Sequence, residues 1–382
     1  MSIHTAKRLE RFPEYVFSRL AKTVKEIERV SKRKVLDFGA GSPDIKPSEQ
    51  YLNAYVEFIR THDAHKYPGY GAIKEFSGGL VHWYKKRFNV NLSGEELLPL
   101  LGAKDGISHL PLAILDEKDE VLLPDPGYPV FSGPLHMFGI IPITYDLIQE
   151  NDFKIDLDGL EKKITKRTKC IWVNFPSNPT GQVATLDELE KIVLFIKKHN
   201  LILIYDNAYS EITFDGFVAP SILEIPEAKE IAVEIGSFSK TFSFAGYRMG
   251  WIVGNKTVIS ALAKVKSQID SGLSIPLQKL GGYALTHVDG KWYKNMIGDY
   301  QGRRDRIAGY LKKLSLQFSL PKGGLYIWAK IPDIFNDSEE FCMKMLREKQ
   351  VLFTPGSAFG TNGDRYVRVS VCVNIDHINE YL

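Results

Sequence analysis

Cysteine is scarce in this chain of 382 residues, which contains only Cys170, Cys342 and Cys372. These three are far apart and odd in number, so their spacing matches neither a disulfide framework nor a metal site. We therefore expect no bound metal. Free thiols of this kind are typical of buried positions in proteins of a reducing cytoplasm.

The chain also lacks an excess of charge of either sign and long apolar runs. Its 49 Lys and Arg residues nearly balance 46 Asp and Glu residues, and a net charge of +3 is no footprint of nucleic-acid binding. No apolar run approaches the ~18 residues that span a membrane, and residues 1–8 contain no apolar signal core. We expect a cytoplasmic globular protein that binds neither nucleic acid nor membrane.

The alternation of short apolar runs with amphipathic stretches predicts an α/β domain with a mainly parallel sheet. The continuous apolar run at Leu201–Tyr205 is typical of a sheet covered on both faces. The predicted strands are Val35–Phe38, Leu98–Leu101, Val121–Leu123, Ile140–Tyr145, Cys170–Asn174, Leu201–Tyr205, Ile231–Ile235 and Trp251–Val253. The predicted helices between them include Ile73–Arg87, Gly106–Leu115 and Leu186–His199.

The pattern changes after about residue 290, where a long helical stretch runs from Trp292 towards Leu314. Short strands at residues 326–329, 351–353 and 366–369 and a helix near residues 338–349 then predict a smaller α/β unit. The N-terminal helix at Glu14–Val30 is expected to pack with that unit. We therefore predict a large domain at residues 46–290 and a discontinuous small domain at residues 1–45 and 291–382.

The candidate reactive residue is Lys240, in a short polar stretch between apolar segments. Ser237 and Ser239 precede it, and Arg248 follows eight residues later. A lysine in this setting is able to form a Schiff base with an aldehyde cofactor, while the hydroxyls and the guanidinium hold the cofactor's phosphate. A single lysine on a loop is usually just solvated, so the other segments must decide between the two interpretations.

Two polar residues follow predicted strands, where ligands bind in open α/β sheets. Asp206 directly follows a buried strand, and its carboxylate would either pair with a protonated ring nitrogen or cap the next segment. Asn178 lies in an Asn-Pro-Thr-Gly turn after another strand. Its amide would either donate to a phenolic oxygen or serve only as ordinary turn chemistry.

Two further turns supply candidate cofactor contacts. Gly102, Ala103 and Lys104 lie between a strand and a helix, where small residues and a helix N-terminus favour a phosphate. Tyr128, in a turn rich in proline and glycine, would either stack on a pyridine ring or lie buried under its loop.

Arg368 and Gly41 are candidates for binding a substrate carboxylate. Arg368 interrupts an apolar strand, where a charge is costly unless it is paired. A bidentate contact with a carboxylate would offset that cost, and so would an internal salt bridge. Gly41 belongs to a glycine-bearing turn, residues 37–44, that serves either as a backbone platform for the same carboxylate or simply as a turn.

Each of these features alone is ordinary, but their order and spacing together resemble the pyridoxal-phosphate aminotransferases of fold type I, class I/II. The resemblance covers nearly the whole chain and is carried by the motifs at 237–240, 178–181 and 368–370. Within the class it is closest to the LL-diaminopimelate/aspartate aminotransferase-like branch, from the stretches 102–106, 125–129 and 354–360. It implies a large domain with a mainly parallel seven-stranded sheet flanked by helices, and a smaller α/β domain.

The resemblance also implies roles for the residues around the cofactor. Lys240 would hold pyridoxal 5'-phosphate as a Schiff base and shuttle a proton, a role that suits an amine whose pKa falls readily. Asp206 would keep the ring nitrogen protonated. Asn178 and Tyr209 would bond the phenolic oxygen, and Tyr128 would stack on the ring. The phosphate would be surrounded by Gly102, Ala103, Lys104, Ser237, Ser239 and Arg248.

The remaining implied roles concern the substrate and the partner subunit. Arg368 would clamp the α-carboxylate, with Gly41 and Asn178 beside it. Tyr67 would reach the phosphate in the neighbouring subunit, which implies a homodimer with shared active sites. The implied activity moves an amino group between an L-amino acid and a 2-oxo acid, with glutamate and 2-oxoglutarate as one pair.

One departure from the family concerns substrate choice. Some members grip a distal carboxylate with a partner arginine from the segment after the reactive lysine, but no arginine occurs between Met249 and Gly302. Lys264 and Lys266 either replace it or are solvated helix charges. We therefore expect a broader specificity than that of a strict aspartate aminotransferase.

Two alternatives to transamination remain open at this point. A C–S lyase of the cystathionine β-lyase type would use the same Lys240 and Asp206 to eject a β-substituent. A ligand-sensing regulator with an aminotransferase-like domain would need a DNA-binding module. The near-neutral charge and the early start of the family's motifs, at about residue 39, argue against the regulator.

Overall fold

The computed structural model of the chain describes residues 4–11, 16–39, 41–376 and 378–381. Its strands are β1 Leu36–Asp37, β2 Leu97–Leu100, β3 Glu120–Asp125, β4 Ile141–Asp146, β5 Thr168–Asn174, β6 Ile202–Asp206, β7 Ala232–Ser237, β8 Gly250–Gly254, β9 Tyr326–Lys330, β10 Val351–Leu352, β11 Thr354–Pro355 and β12 Tyr366–Ser370. Its α-helices are α1 Val16–Ser31, α2 Glu49–Ile59, α3 Lys74–Phe88, α4 Ala103–Ile114, α5 Gly133–Phe138, α6 Leu157–Glu161, α7 Leu186–Lys198, α8 Ala228–Ile231, α9 Phe238–Thr241, α10 Lys256–Lys266, α11 Ile275–Thr286, α12 Gly290–Lys313 and α13 Ser338–Lys349.

The main sheet has seven strands in the order β2-β8-β7-β6-β5-β3-β4. Neighbouring strands from β7 through β6, β5 and β3 to β4 pair in parallel. Strand β8 is antiparallel to both of its neighbours, β2 and β7. The predicted α/β fold with a mainly parallel seven-stranded sheet is therefore confirmed.

The apolar strands are covered on both faces, as their sequences predict. Successive side chains of a strand point to opposite faces. Accordingly, Leu203 and Tyr205 of β6 belong to one buried apolar cluster, while Ile204 belongs to another.

Helix α7 shows why the flanking helices form. A capping box at Thr185 and Glu188 begins it, and it buries the apolar stripe Leu189, Ile192, Val193 and Ile196.

Two smaller sheets lie outside the main one. Strands β1 and β10 pair in parallel, and β11, β12 and β9 form an antiparallel sheet of three strands. A third apolar cluster joins β9 and β12 to α12, α13 and residues 208–214. Helix α1 packs through Val24 and Ile27 against Leu346 and Leu352, as expected for the N-terminal helix. The domain division at residues 45/46 and 290/291 stays a prediction.

Several element bounds differ from those predicted. Helix α4 begins at Ala103 rather than Gly106, because Gly102 is already its N-cap. The strand predicted at residues 351–353 is confined to β10, Val351–Leu352, and the separate strand β11 follows at Thr354–Pro355. The N-terminal helix is described from Val16, and the predicted start at residues 14–15 lies outside the described residues. The three cysteines are buried and free, as expected, and no helix in the described ranges is long and apolar enough to cross a membrane.

Candidate active site

The candidate site is a cavity of about 560 Å³ beyond the carboxyl ends of β5, β6 and β7. All but two of the predicted site residues line it: Gly41, Ala103, Lys104, Tyr128, Asn178, Asp206, Tyr209, Ser237, Ser239, Lys240, Arg248 and Arg368. The two exceptions are Gly102, which adjoins the lining through Arg248, and Tyr67. The chain fold therefore brings together segments that are far apart in the sequence.

Lys240 lies in the short helix α9, directly after β7. Its Nζ donates a hydrogen bond of 2.9 Å to the carbonyl oxygen of Gly41 and lies 5.6 Å from the centre of the Tyr209 ring. Burial raises the pKa of Tyr209 well above its ordinary value, so its phenol stays a hydrogen-bond donor at neutral pH. The primary amine is thus held at the cavity beside a neutral phenol.

Asp206 is the last residue of β6 and is 5% exposed. Burial raises its pKa from 3.8 to about 6, against the opposing effects of a hydrogen bond from the Ala208 N–H and the charge of Lys240. A buried carboxylate that is costly to ionise favours a cationic partner. A protonated ring nitrogen would be such a partner.

Asn174, at the end of β5, holds this region together and was missed by the sequence analysis. Its Nδ2 donates to the backbone oxygen of Asp206 at 2.8 Å, and its Oδ1 accepts the N–H of Asn178 at 2.8 Å. One amide therefore ties the turn that carries Asn178 to the end of the strand that carries Asp206. The role of Asn174 depends on its pairing with Asp206 in the register of β5 and β6, and the sequence alone does not give that register.

A cradle of donors suited to an anion faces the cavity at the start of α4. Gly102 has φ +82° and ψ 159°, a conformation that essentially only glycine adopts. A Cβ at Gly102 would lie 2.6 Å from Nη2 of Arg248. Ser237 and Ser239 are buried in the same lining, and the helix N-terminus adds backbone N–H groups. Hydroxyl, guanidinium and N–H donors around a space that admits no side chain fit a phosphate group.

Arg368 lies in β12 and is 4% exposed. Its Nη1 donates to Oδ1 of Asn178 at 3.0 Å, and its Nη2 donates to the carbonyl oxygen of Gly39 at 3.0 Å. The guanidinium also lies 4.1 Å from the centre of the Tyr326 ring and 4.8 Å from that of Phe359. These contacts orient the guanidinium at the cavity, where a carboxylate is able to reach it.

Tyr326 and Phe359 are further lining residues that the sequence analysis missed. Strands β12 and β9 pair Arg368 with Trp328 and Ser370 with Tyr326, which places Tyr326 and Arg368 on one face of the sheet. The Tyr326 hydroxyl lies 3.3 Å from that of Tyr209, and a Cβ at Gly41 would lie 2.2 Å from it. A strand was predicted at residues 326–329, but its register was not.

The lysines considered as substitutes for the missing arginine occupy different environments. Lys264 is exposed, as expected of a solvated helix charge. Lys266 is 3% exposed and forms ion pairs with Asp105 and Asp270. The interpretation of Lys266 as a solvated charge is therefore wrong, and neither lysine lines the cavity.

Tyr67 lies outside the cavity lining and is 87% exposed. Tyr70, three residues later, is 56% exposed. Such exposure agrees with a side chain that reaches into another subunit, but the single chain does not test that role, which stays a prediction.

Comparisons with known proteins show which family model and which relatives this chain matches. The profile described as "Aminotransferase class I and II" matches residues 33–382. The chain is 34% identical over 381 residues to the LL-diaminopimelate aminotransferase of Halothermothrix orenii, covering 100% of this chain and 97% of that protein. It is 37% identical over 376 residues to the LL-diaminopimelate aminotransferase of Aquifex aeolicus, covering 98% and 96%.

Solved structures also match this chain over its whole length. Apo-BacF from Bacillus subtilis matches with a TM-score of 0.94 and 31% identity, covering 100% of this chain and 97% of that one. A Thermus thermophilus aspartate aminotransferase matches with a TM-score of 0.93 and 24% identity over 100% and 98%, which shows a shared fold. The two sequence relatives and the Thermus thermophilus protein named here are aminotransferases, so they give no support to the C–S lyase or the regulator.

Proposed function

Since this chain belongs to the class I and II aminotransferases, we propose that Lys240 is the residue through which it holds pyridoxal 5'-phosphate. The chain is a pyridoxal-phosphate-dependent aminotransferase, which moves an amino group between an amino acid and a 2-oxo acid. The assignment of individual residues to that chemistry is the proposal. It is supported by the convergence of an amine, a buried carboxylate, an anion cradle and a guanidinium on one cavity.

The donor set of the cavity fits the cofactor. When bound, pyridoxal phosphate supplies an aldehyde for covalent attachment and a protonated ring that withdraws electrons from the substrate Cα. Asp206 would hold its carboxylate ionised against that ring nitrogen. Ser237, Ser239, Arg248 and the N-terminus of α4 would bind the phosphate, and Tyr128 would pack on the ring.

Lys240 is placed to move a proton during the reaction. Its Nζ, now bonded to the carbonyl of Gly41, is available as a base once an incoming amino acid replaces it. A neutral primary amine in this position is able to accept a proton from the substrate. Lys240 would take the proton from the substrate Cα and would return it to C4′ of the cofactor, on the other side of the amino nitrogen.

Arg368 would bind the α-carboxylate that every amino-acid substrate carries. Asn178 and the carbonyl of Gly39 hold two of its nitrogens, while Tyr326 and Phe359 flank its guanidinium. A fixed planar guanidinium binds a carboxylate by two parallel hydrogen bonds. This contact would orient the Cα–H bond towards Lys240.

Reductive trapping tests the assignment of Lys240. Borohydride reduction of the holoenzyme followed by peptide mapping should place the cofactor label on Lys240 alone. Lys104 is the matched control, because it also lines the cavity. Lys240→Ala should abolish the label and Lys104→Ala should keep it, whereas a label on Lys104 in the wild-type protein would overturn the proposal.

For the amino donor, we favour a diaminopimelate-like amino acid, with glutamate and 2-oxoglutarate as the second pair. The support is the name of the relatives, LL-diaminopimelate aminotransferase, together with the absence of arginine between Met249 and Gly302. Values of kcat/KM for LL-diaminopimelate, aspartate, alanine and aromatic donors would test this. An aspartate value several orders of magnitude above all others would refute it.

We further propose a cytoplasmic homodimer in which Tyr67 crosses to the partner's phosphate site. Its support is the family resemblance of residues 66–70 together with the exposure of the large side chains of Tyr67 and Tyr70. An exposed aromatic side chain is available for contact with another subunit. A Tyr67 variant mixed with an Arg368 variant should yield dimers with one intact site and regain activity. Subunit exchange without any regained activity would contradict the crossing.

A further inference from the structure

A buried ion network lies next to the anion cradle and is not used by the proposed reaction. Lys266, the last residue of α10, is 3% exposed. Its Nζ lies 2.5 Å from Oδ2 of Asp105 and 2.7 Å from Oδ2 of Asp270. Burying an ammonium group is costly unless it is paired and hydrogen-bonded. These two carboxylates offset that cost for Lys266.

The first carboxylate connects Lys266 to the turn of the anion cradle. Asp105 lies in the first turn of α4, and its Oδ2 also accepts the backbone N–H of Leu101 at 2.8 Å. Its Oδ1 lies 2.6 Å from Nδ1 of His109. Although burial acts to raise the pKa of Asp105, its contacts with His109 and Lys266 outweigh burial and hold the pKa below its ordinary value. An ionised Asp105 therefore joins Lys266 to the backbone at residues 101–104.

The second carboxylate connects Lys266 to the segment that carries Tyr67. Oδ1 of Asp270 accepts the N–H of Gly272 at 2.7 Å. Gly272 has φ +87°, and a Cβ there would lie 2.4 Å from the carbonyl oxygen of Gly69. The loop at residues 270–272 therefore lies directly on residues 68–69, within the segment 66–71. One ammonium group thus joins the cradle turn for this chain's cofactor phosphate to the segment whose Tyr67 is proposed to reach the partner's cofactor phosphate.

A divalent cation is a weaker explanation for the same cluster. Ligand atoms of Asp105, His109 and Asp270 do lie within 4.8 Å of one another. The Lys266 ammonium, however, already bonds both carboxylates and supplies the positive charge between them. A metal ion would have to displace a buried lysine.

We propose that Lys266 is a positioning residue for the cofactor-phosphate site. Through Asp105 it holds the cradle turn at residues 101–104, which faces this chain's phosphate site. Through Asp270 it holds the segment at residues 66–71, whose Tyr67 is proposed to reach the partner's phosphate site. Binding groups must be held within a fraction of an ångström by such supporting contacts. The proposal rests on the proposed function, because it takes the cradle to be the phosphate site.

Cofactor titration separates this role from a merely structural one. The full-length protein, freed of cofactor, is titrated with pyridoxal 5'-phosphate and with pyridoxal, which lacks the phosphate, and absorbance gives both dissociation constants. Lys266→Met should raise the constant for pyridoxal phosphate about 10- to 100-fold, the range typical when a residue that orients a ligating group is removed. The constant for pyridoxal should change little. Lys266→Arg should recover part of the loss.

The matched control is Lys264→Met, on the same helix but exposed, and it should leave both constants unchanged. If Lys266→Met does not fold, Asp105→Asn, which keeps the size and an acceptor, should show the same selective loss. Equal weakening of both ligands, or unchanged affinity for pyridoxal phosphate, would overturn the positioning role. A wild-type protein that binds the two ligands equally would instead show that the cradle is not the phosphate site.

Discussion

Replacing Asp206 by asparagine should stabilise the cofactor-free protein while weakening its hold on the cofactor. The rise of the Asp206 pKa from 3.8 to about 6 means that the ionised carboxylate costs the folded state about 3 kcal/mol, at 1.36 kcal/mol per pKa unit. Asparagine has the same size, carries no charge and keeps an acceptor for the Ala208 N–H. The variant should therefore gain up to about 3 kcal/mol of unfolding free energy at pH 8.

The gain should depend on pH in a defined direction. Because the folded-state pKa is raised, the folded protein binds more protons than the unfolded chain between about pH 4 and pH 6. Wild-type stability should accordingly fall as the pH rises through this window, relative to the variant. The difference between the two proteins should vanish near pH 4 and reach its full value above pH 6. Urea unfolding of both cofactor-free proteins at equal concentration, from pH 4 to pH 8, measures it.

The opposite effect is expected with cofactor bound, since the ring nitrogen then offsets the charge of Asp206. Absorbance titration should give Asp206→Asn a weaker affinity for pyridoxal phosphate. Single-turnover deprotonation of the substrate should be slower by orders of magnitude, because the electron sink is weakened. If Asp206 were only a cap for the following segment, asparagine would preserve both the affinity for pyridoxal phosphate and the rate. A pH-independent stability difference or a near-normal rate would refute the reasoning.

Three further outcomes follow from the site. Arg368→Lys loses the bidentate contact, so kcat/KM should fall by about 2–5 kcal/mol in transition-state binding for every amino donor alike; a fall confined to one donor would argue against α-carboxylate binding. Gly102→Ala should cost about 1–3 kcal/mol in urea unfolding because of its backbone conformation, and should weaken binding of pyridoxal phosphate more than that of pyridoxal. Tyr326→Phe keeps the ring beside Arg368 and loses one hydroxyl contact of about 0.5–1.5 kcal/mol, so kcat/KM should fall by about 2- to 13-fold. Tyr326→Leu should cause a larger rise in KM, and equal effects of the two changes would contradict a role for the ring.

Much of the candidate site was readable in the sequence because several of its residues follow a strand of the main sheet or open a helix. Asp206 and Asn178 come directly after apolar runs, and in a parallel sheet the carboxyl ends of strands share one edge. Ser237, Ser239 and Lys240 follow the next strand in the same way. Gly102, between a strand and a helix, indicates a position where the backbone comes close to a ligand. These are local signals, and local sequence is enough to place such residues at one edge of one sheet.

Other site features depend on which distant segments pack together, and no local sequence pattern predicts that packing. Tyr326 reaches the cavity only because β9 pairs with β12 in one register, since a shift by one residue would turn its ring to the other face. Lys266 has the sequence context of a solvated charge at a helix end, yet Asp105 lies 161 positions earlier in the chain and meets it only in the folded protein. The sequence by itself determined the fold class and the candidate site residues, because strand and helix patterns are local and the family resemblance is carried by short motifs. The roles of Lys240 and its neighbours stay proposals. Only the tertiary structure decided which distant side chains hold those residues in place, because burial and strand register arise from packing between segments.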